Sequence, residues 1–168
     1  MMHEWYFIGT NKIHKSVTLG ENVVLGENNV IYPNVVIGLP GFIRDSESAT
    51  GKVIIGNNNW LGCNVSVMVG ATGDTIIGND NLIMNYVNIG HNTKIGNGNE
   101  IGAGTIVPGW VEIGNNNKIK LHCTFRNRKK ISNGIIVGMG SNIVTSFMED
   151  NILVYGNPAK KIKNLDDK

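Results

Sequence analysis

The residues of this chain best suited to chemistry are its histidines, because imidazole, with an ordinary pKa near 6.5, exchanges protons at neutral pH. Four are present: His3, His14, His91 and His122. His91 stands in "NYVNIGHNTKIGN", directly after Ile89-Gly90. An imidazole held there could act as general base on a hydroxyl or amine, a role worth roughly 10²–10⁴-fold in rate. His3 is terminal, His14 in "KIHKS" reads as structural, and His122 in "KIKLHCTF" is a lesser candidate for ligand binding. Two basic runs could hold phosphate through guanidinium and ammonium groups. "FRNRKK" carries Arg126, Arg128, Lys129 and Lys130, and "PAKKIK" carries Lys160 and Lys161. The same runs also fit a solvated face.

What must position these groups is a rhythm of six. Aliphatic residues recur at Ile13, Leu19, Leu25, Ile31 and Ile37, then at Ile55, Leu61 and Val67. They resume at Ile77 and continue every sixth residue through Ile83, Ile89, Ile95, Ile101, Val107, Ile113, Ile119, Phe125, Ile131 and Val137 to Ile143. A helix would repeat at 3.6 and a half-buried strand at 2. Six matches a short strand plus a corner. A smaller residue sits two positions before many of the large ones, as at Val65, Val87, Thr93, Thr105, Val111 and Cys123. One large and one small inward position per side describes a narrow three-sided coil of about 18 residues, the parallel β-helix of hexapeptide repeats. A corner motif supports the count: "IGNDN", "IGNGN" and "IGNNN" begin at 77, 95 and 113. Earlier copies begin at 25 and 55, steps of 30 and 22. Those become 18 if about twelve residues loop out between Ile37 and Ile55 and about four between Val67 and Ile77. Asn59, Asn81, Asn99 and Asn117 should then stack as a ladder.

This reading predicts a single all-β domain over 1–168 of about seven coils. Residues 13–148 would form the coils, with loops near 39–53 and 70–75, an N-terminal cap over 1–12 and a C-terminal cap and tail over 149–168. Trp5, Tyr6 and Phe7 would cover the first end, since an open stack presents unpaired backbone.

Composition narrows the function classes. The 168 residues carry a net charge of +2, which is no footprint for nucleic acid. Asn outnumbers even the 22 Gly, and both tolerate left-handed backbone, so the chain has many tight corners. Cys63 and Cys123 form neither a staple nor a zinc pattern. Reduced thiols, an N-terminus without a signal-peptide pattern and the lack of a membrane-length apolar run predict a cytoplasmic protein.

Across nearly the whole chain the hexads resemble the left-handed β-helix acyltransferase family. The similarity includes the UDP-N-acetylglucosamine acyltransferase of lipid A synthesis and the coenzyme-A-dependent sugar acetyltransferases. "IGNDNLIMNYVNIGHNTKIGN" resembles the segment bearing that family's catalytic histidine, and "VGMGSNIVTSFMEDNILVYGNPAKKI" resembles its closing hexads. The resemblance implies a left-handed coil, a homotrimer with sites between subunits, and acyl transfer from a thioester such as acetyl-CoA to a sugar hydroxyl or amine. It implies His91 as the base and the Gly109 backbone N–H as oxyanion donor. It implies coenzyme contacts from Ala159, Lys160, Arg126 and Arg128, and acceptor contacts from Asn88 and from Arg44 and Asp45 in the long loop. Asn88 stands where the lipid A enzyme has a second histidine, and Asn92 stands where an acidic residue often adjoins the base. An acyl-carrier-protein-dependent O-acyltransferase and a non-catalytic solenoid are the alternatives. A metal hydratase of the same fold would need three histidine ligands. No bound metal, permanent cofactor, nucleic acid or membrane insertion is expected.

Overall fold

The computed structural model describes residues 4–40 and 49–165. Among them there is no α-helix. The chain winds as a triangular prism whose three faces are parallel sheets, the β-helix that the hexads predict, with the left hand that the family resemblance implies. Most rungs are two-residue strands, because six residues must make one side and one corner. Leu82–Ile83 lies on the first face, Asn88–Ile89 on the second and Lys94–Ile95 on the third. Glu100–Ile101 then returns to the first face, with Leu82 paired to Glu100 and Ile83 to Ile101.

The register shows both insertions. Val30 pairs with Trp60, and Trp60 with Leu82, although they are 30 and 22 residues apart. The excess lies between the strands Val36–Leu39 and Val53–Ile55, and between Ser66–Met68 and Thr75–Ile77. The first face is ten strands long and its outermost strands at both ends are antiparallel caps, so it holds eight parallel rungs rather than seven. The additional rung, Ile152–Gly156, comes after the rhythm of six has broken.

The prism interior is one aliphatic column. Ile31, Ile37, Leu61, Ile83, Ile89, Ile101, Val107 and Ile143 are fully buried within it. Cys123 fills a small inward position, and burial pushes its thiol pKa up. Beside the column runs a buried ladder of Asn11, Asn29, Asn59, Asn81, Asn99 and Asn117. Each of the last five donates its backbone N–H and Nδ2–H to the Oδ1 of the Asn one coil before. Each Nδ2 also donates to a backbone carbonyl of the coil after, so the amides are fully occupied out of water.

The N-terminal cap differs from expectation. Trp5–Ile8 pairs antiparallel with Asn11–His14 and so closes the edge of the first face. Tyr6, Phe7 and Ile8 are exposed, because a strand that extends a sheet cannot also turn its side chains over the coil end. Val17, Leu19, Val23 and Leu25 consequently remain partly buried. At the other end, Phe147 bridges to Ile131 and packs against the core, and Ala159–Asn164 folds back on Ile152–Gly156.

Candidate functional site

The corner between the second and third faces gathers the chemistry. Three successive coils turn there through a left-handed residue: Asn92 at φ 60°, Trp110 at 57° and Arg128 at 62°. Asn accepts this backbone readily, whereas Trp and Arg adopt it at a cost of about 1–2 kcal/mol. Strain of this kind concentrates at functional sites.

His91 occupies the first position of its corner and is half-buried. Its Nδ1 lies 3.0 Å from Asn92 Oδ1. Its other edge lies over Gly109, one coil on; a β-carbon at 109 would stand 2.7 Å from Nε2 and 2.8 Å from Cε1. Only glycine lets the ring lie there. Among the described residues no acceptor takes the Gly109 N–H, while the neighbouring Trp110 N–H is bonded to the His91 carbonyl at 3.0 Å. The corner therefore offers a ring nitrogen and an unused backbone donor side by side.

Above the imidazole is a stack that sequence reasoning missed. The Trp110 indole meets His91 edge to face at 4.3 Å between centroids, and the Arg128 guanidinium lies 4.3 Å over the indole. A signal was available: "PGWVEIGN" aligns with "IGHNTKIGN" at a shift of 18, which puts a Trp where the earlier coil has Asn92. Next to the stack, Gly73, Asp74, Asn92, Lys94, Trp110 and Glu112 line a shallow hollow of about 250 Å³.

The other expected residues fall in three places. Asn88 lies on the second face in the strand leading to His91, where its Nδ2 donates to Ser66 Oγ at 2.6 Å. Arg126 and Arg128 are exposed and stand two coils above Gly90 and Asn92, roughly 10 Å at the spacing of sheet strands. Ala159 and Lys160 lie instead on the terminal hairpin of the first face, Ala159 buried and Lys160 exposed opposite Tyr155. Lys161 there is paired with Glu149 at 2.6 Å. Arg44 and Asp45 lie outside the described residues. His122 is exposed at the corner between the first and second faces, its ring over Gly104. His14 is buried against Trp5 and bonded to Ser16, a structural role. Among the described residues no three His, Cys, Asp or Glu side chains converge to hold a metal. No helix there is long and apolar enough to cross a membrane.

Comparison with known proteins places this corner in context. The bacterial transferase hexapeptide (six repeats) family matches residues 74–109, the segment containing both His91 and Gly109. The UDP-3-O-acylglucosamine N-acyltransferase of Shewanella denitrificans is 32% identical over 158 residues, covering 90% of this chain and 44% of its own length. This chain thus spans less than half of that relative. Among solved structures, a UDP-N-acetylglucosamine acyltransferase from Bacteroides fragilis has a TM-score of 0.87 at 26% identity, covering 92% of this chain and 61% of that one. A perosamine N-acetyltransferase from Caulobacter crescentus, solved with CoA and GDP-perosamine, has a TM-score of 0.58 at 20% identity over 94% of this chain and 59% of that one, a likeness of fold.

Proposed function

From the premise that this chain belongs to the hexapeptide-repeat family, we propose that it is an acyltransferase moving an acyl group from a thioester to an amine or hydroxyl of a nucleotide-linked sugar. The observation that carries the reading is His91 Nε2 set over Gly109, whose N–H is unclaimed. Nε2 takes the proton as the acceptor's nitrogen or oxygen attacks the thioester carbonyl. The carbonyl oxygen becomes an oxyanion against the Gly109 N–H, a donor of the type worth about 10²–10³-fold. Collapse of the intermediate breaks the carbon–sulfur bond, and the imidazolium proton goes to the departing thiolate. The relatives named above act, by their names, on nucleotide-linked sugars, and the N-acyl transfer of the Shewanella denitrificans relative favours an amine acceptor.

Acetyl-CoA is the proposed donor, with Arg126 and Arg128 within reach of its phosphates and Ala159 and Lys160 meeting the remainder of the coenzyme across a subunit contact. Asn88 is assigned to the acceptor, and Arg44 and Asp45 to the acceptor of a neighbouring subunit. The assembly is a homotrimer in the cytoplasm. A single prism leaves His91 on an open corner, and a closed ring of heterologous contacts supplies the missing walls. A longer chain delivered by acyl-carrier protein is the second reading. An apolar hollow of about 330 Å³ lined by Tyr32, Trp60, Leu82 and Met84 lies on the first face, across the prism from His91, and serves this reading only where a neighbouring subunit brings it to the His91 corner.

The test is thiol release from acetyl-CoA, longer acyl-CoAs and acyl-carrier protein, each offered nucleotide sugars with and without a free amine. Turnover with one CoA thioester and one amino sugar nucleotide is expected, and no release from any pairing overturns the proposal. Sedimentation should show a trimer at assay concentration; an active monomer removes the shared site.

A further inference from the structure

We infer that Asn92, clamped by the 70–74 insertion, is a positioning residue that fixes which nitrogen of His91 carries the proton. The inference rests on the reading of His91 as base, and it explains how a neutral amide can stand beside that base where the family resemblance places an acid.

The amide could in principle face His91 with either end. Here the backbone decides. Asn92 Oδ1 accepts the Ala71 N–H at 2.9 Å, and its Nδ2 donates to the Gly73 carbonyl at 3.0 Å. Flipping the amide would set an NH₂ group against the Ala71 N–H and an oxygen against the Gly73 carbonyl. The end that faces His91 Nδ1 at 3.0 Å is therefore the oxygen, which only accepts. In the neutral ring Nδ1 must carry the hydrogen, and Nε2, over Gly109, keeps its lone pair. Free neutral histidine favours the opposite tautomer, with the proton on Nε2, so the clamp reverses an intrinsic preference.

The clamp is built from the residues that break the 18-residue period. Ala71 and Gly73 lie in the stretch between the strands Ser66–Met68 and Thr75–Ile77. That stretch is braced from the far side: the Gly51 N–H donates to the Gly70 carbonyl at 3.2 Å and the Thr50 N–H to the Ala71 carbonyl at 3.4 Å. The fold-back is tight enough that a β-carbon at Gly70 would collide with the Gly73 carbonyl oxygen. A third tether holds Asn92 itself, whose N–H donates at 2.8 Å to Oγ1 of the fully buried Thr75. An insertion that serves only as a loop has no need to present one N–H and one carbonyl to the same side chain.

The test reads the tautomer directly, by ¹⁵N NMR of the imidazole nitrogens in histidine-labelled protein at a pH where the ring is neutral. His91→Ala assigns the signals. Wild type should show a protonated Nδ1 and a bare Nε2. Asn92→Ala should lose the Nδ1–H signal and move the proton to Nε2. Asn92→Asp should restore Nδ1–H, since a carboxylate also accepts. Gly70→Ala should shift the tautomer without touching either residue, because it displaces the Gly73 carbonyl. The inference is overturned if wild type already carries the proton on Nε2, or if Asn92→Ala leaves it on Nδ1. Should Asn92→Ala fail to fold, the wild-type spectrum alone decides. None of these readouts needs a substrate. A wrong assignment of His91 as base would appear in the kinetics of His91→Ala and leave the tautomer result standing.

Discussion

His91→Ala lowers kcat/KM by about 10²–10⁴-fold with the true acceptor, the usual worth of a positioned base. Its melting temperature and its sedimentation should stay close to those of wild type. The ring is half-buried at a corner and holds no place in the aliphatic column; it touches the Trp110 edge and the Asn92 amide. Removing it leaves Asn92 tied to Ala71, Gly73 and Thr75. If the variant keeps more than about a tenth of wild-type kcat/KM, the base lies elsewhere, because a positioned base contributes far more than that.

The fold was legible because periodicity is a property of the core. A narrow prism admits one large and one small side chain per side, so the inward positions announce themselves every six residues from Ile77 to Ile143. The lengths of both insertions followed from the steps of 30 and 22 between corner motifs, and the pairing of Trp60 with Val30 and Leu82 agrees. Legibility ended where that constraint ended. Trp5, Tyr6 and Phe7 suggested a plug, but they form an edge strand paired to Asn11–His14, with Tyr6 and Phe7 exposed. The site was half visible. His91 and Gly109 were named by the family resemblance, and their spacing of 18 residues, one coil, sets one over the other. The Asn92 clamp joins residues 19 and 21 apart through an irregular turn, which no repeat pattern encodes. Lys160 was grouped with Arg126 and Arg128 as a coenzyme contact, yet the terminal hairpin sets it on the first face while Arg128 stands at the corner between the second and third.

Asn99→Ala should destabilise the protein by about 3 kcal/mol or more, a loss comparable to the roughly 2–5 kcal/mol of a core truncation such as Ile95→Ala. Asn99 is fully buried in the ladder. Its Oδ1 accepts both the backbone N–H of Asn117 at 2.9 Å and the Asn117 Nδ2–H at 3.0 Å, and its Nδ2 serves Asn81 Oδ1 and the Gly114 carbonyl. Truncation leaves the Asn117 N–H without an acceptor inside the prism, and each stranded buried group costs about 1–3 kcal/mol. Asn99→Leu should not rescue the loss: leucine restores volume, but the orphaned donor belongs to the backbone and cannot be removed with it. The outer ladder supplies the control. Asn97 is exposed, with Oδ1 accepting the Asn79 N–H at 2.7 Å and Nδ2 donating to Asn115 at 3.3 Å. Water can replace both contacts, so Asn97→Ala should cost less than about 1 kcal/mol. Denaturant titration of the two variants decides the matter: equal midpoints would mean that the buried ladder carries no more stability than the surface one, and that the aliphatic column alone holds the coils in register.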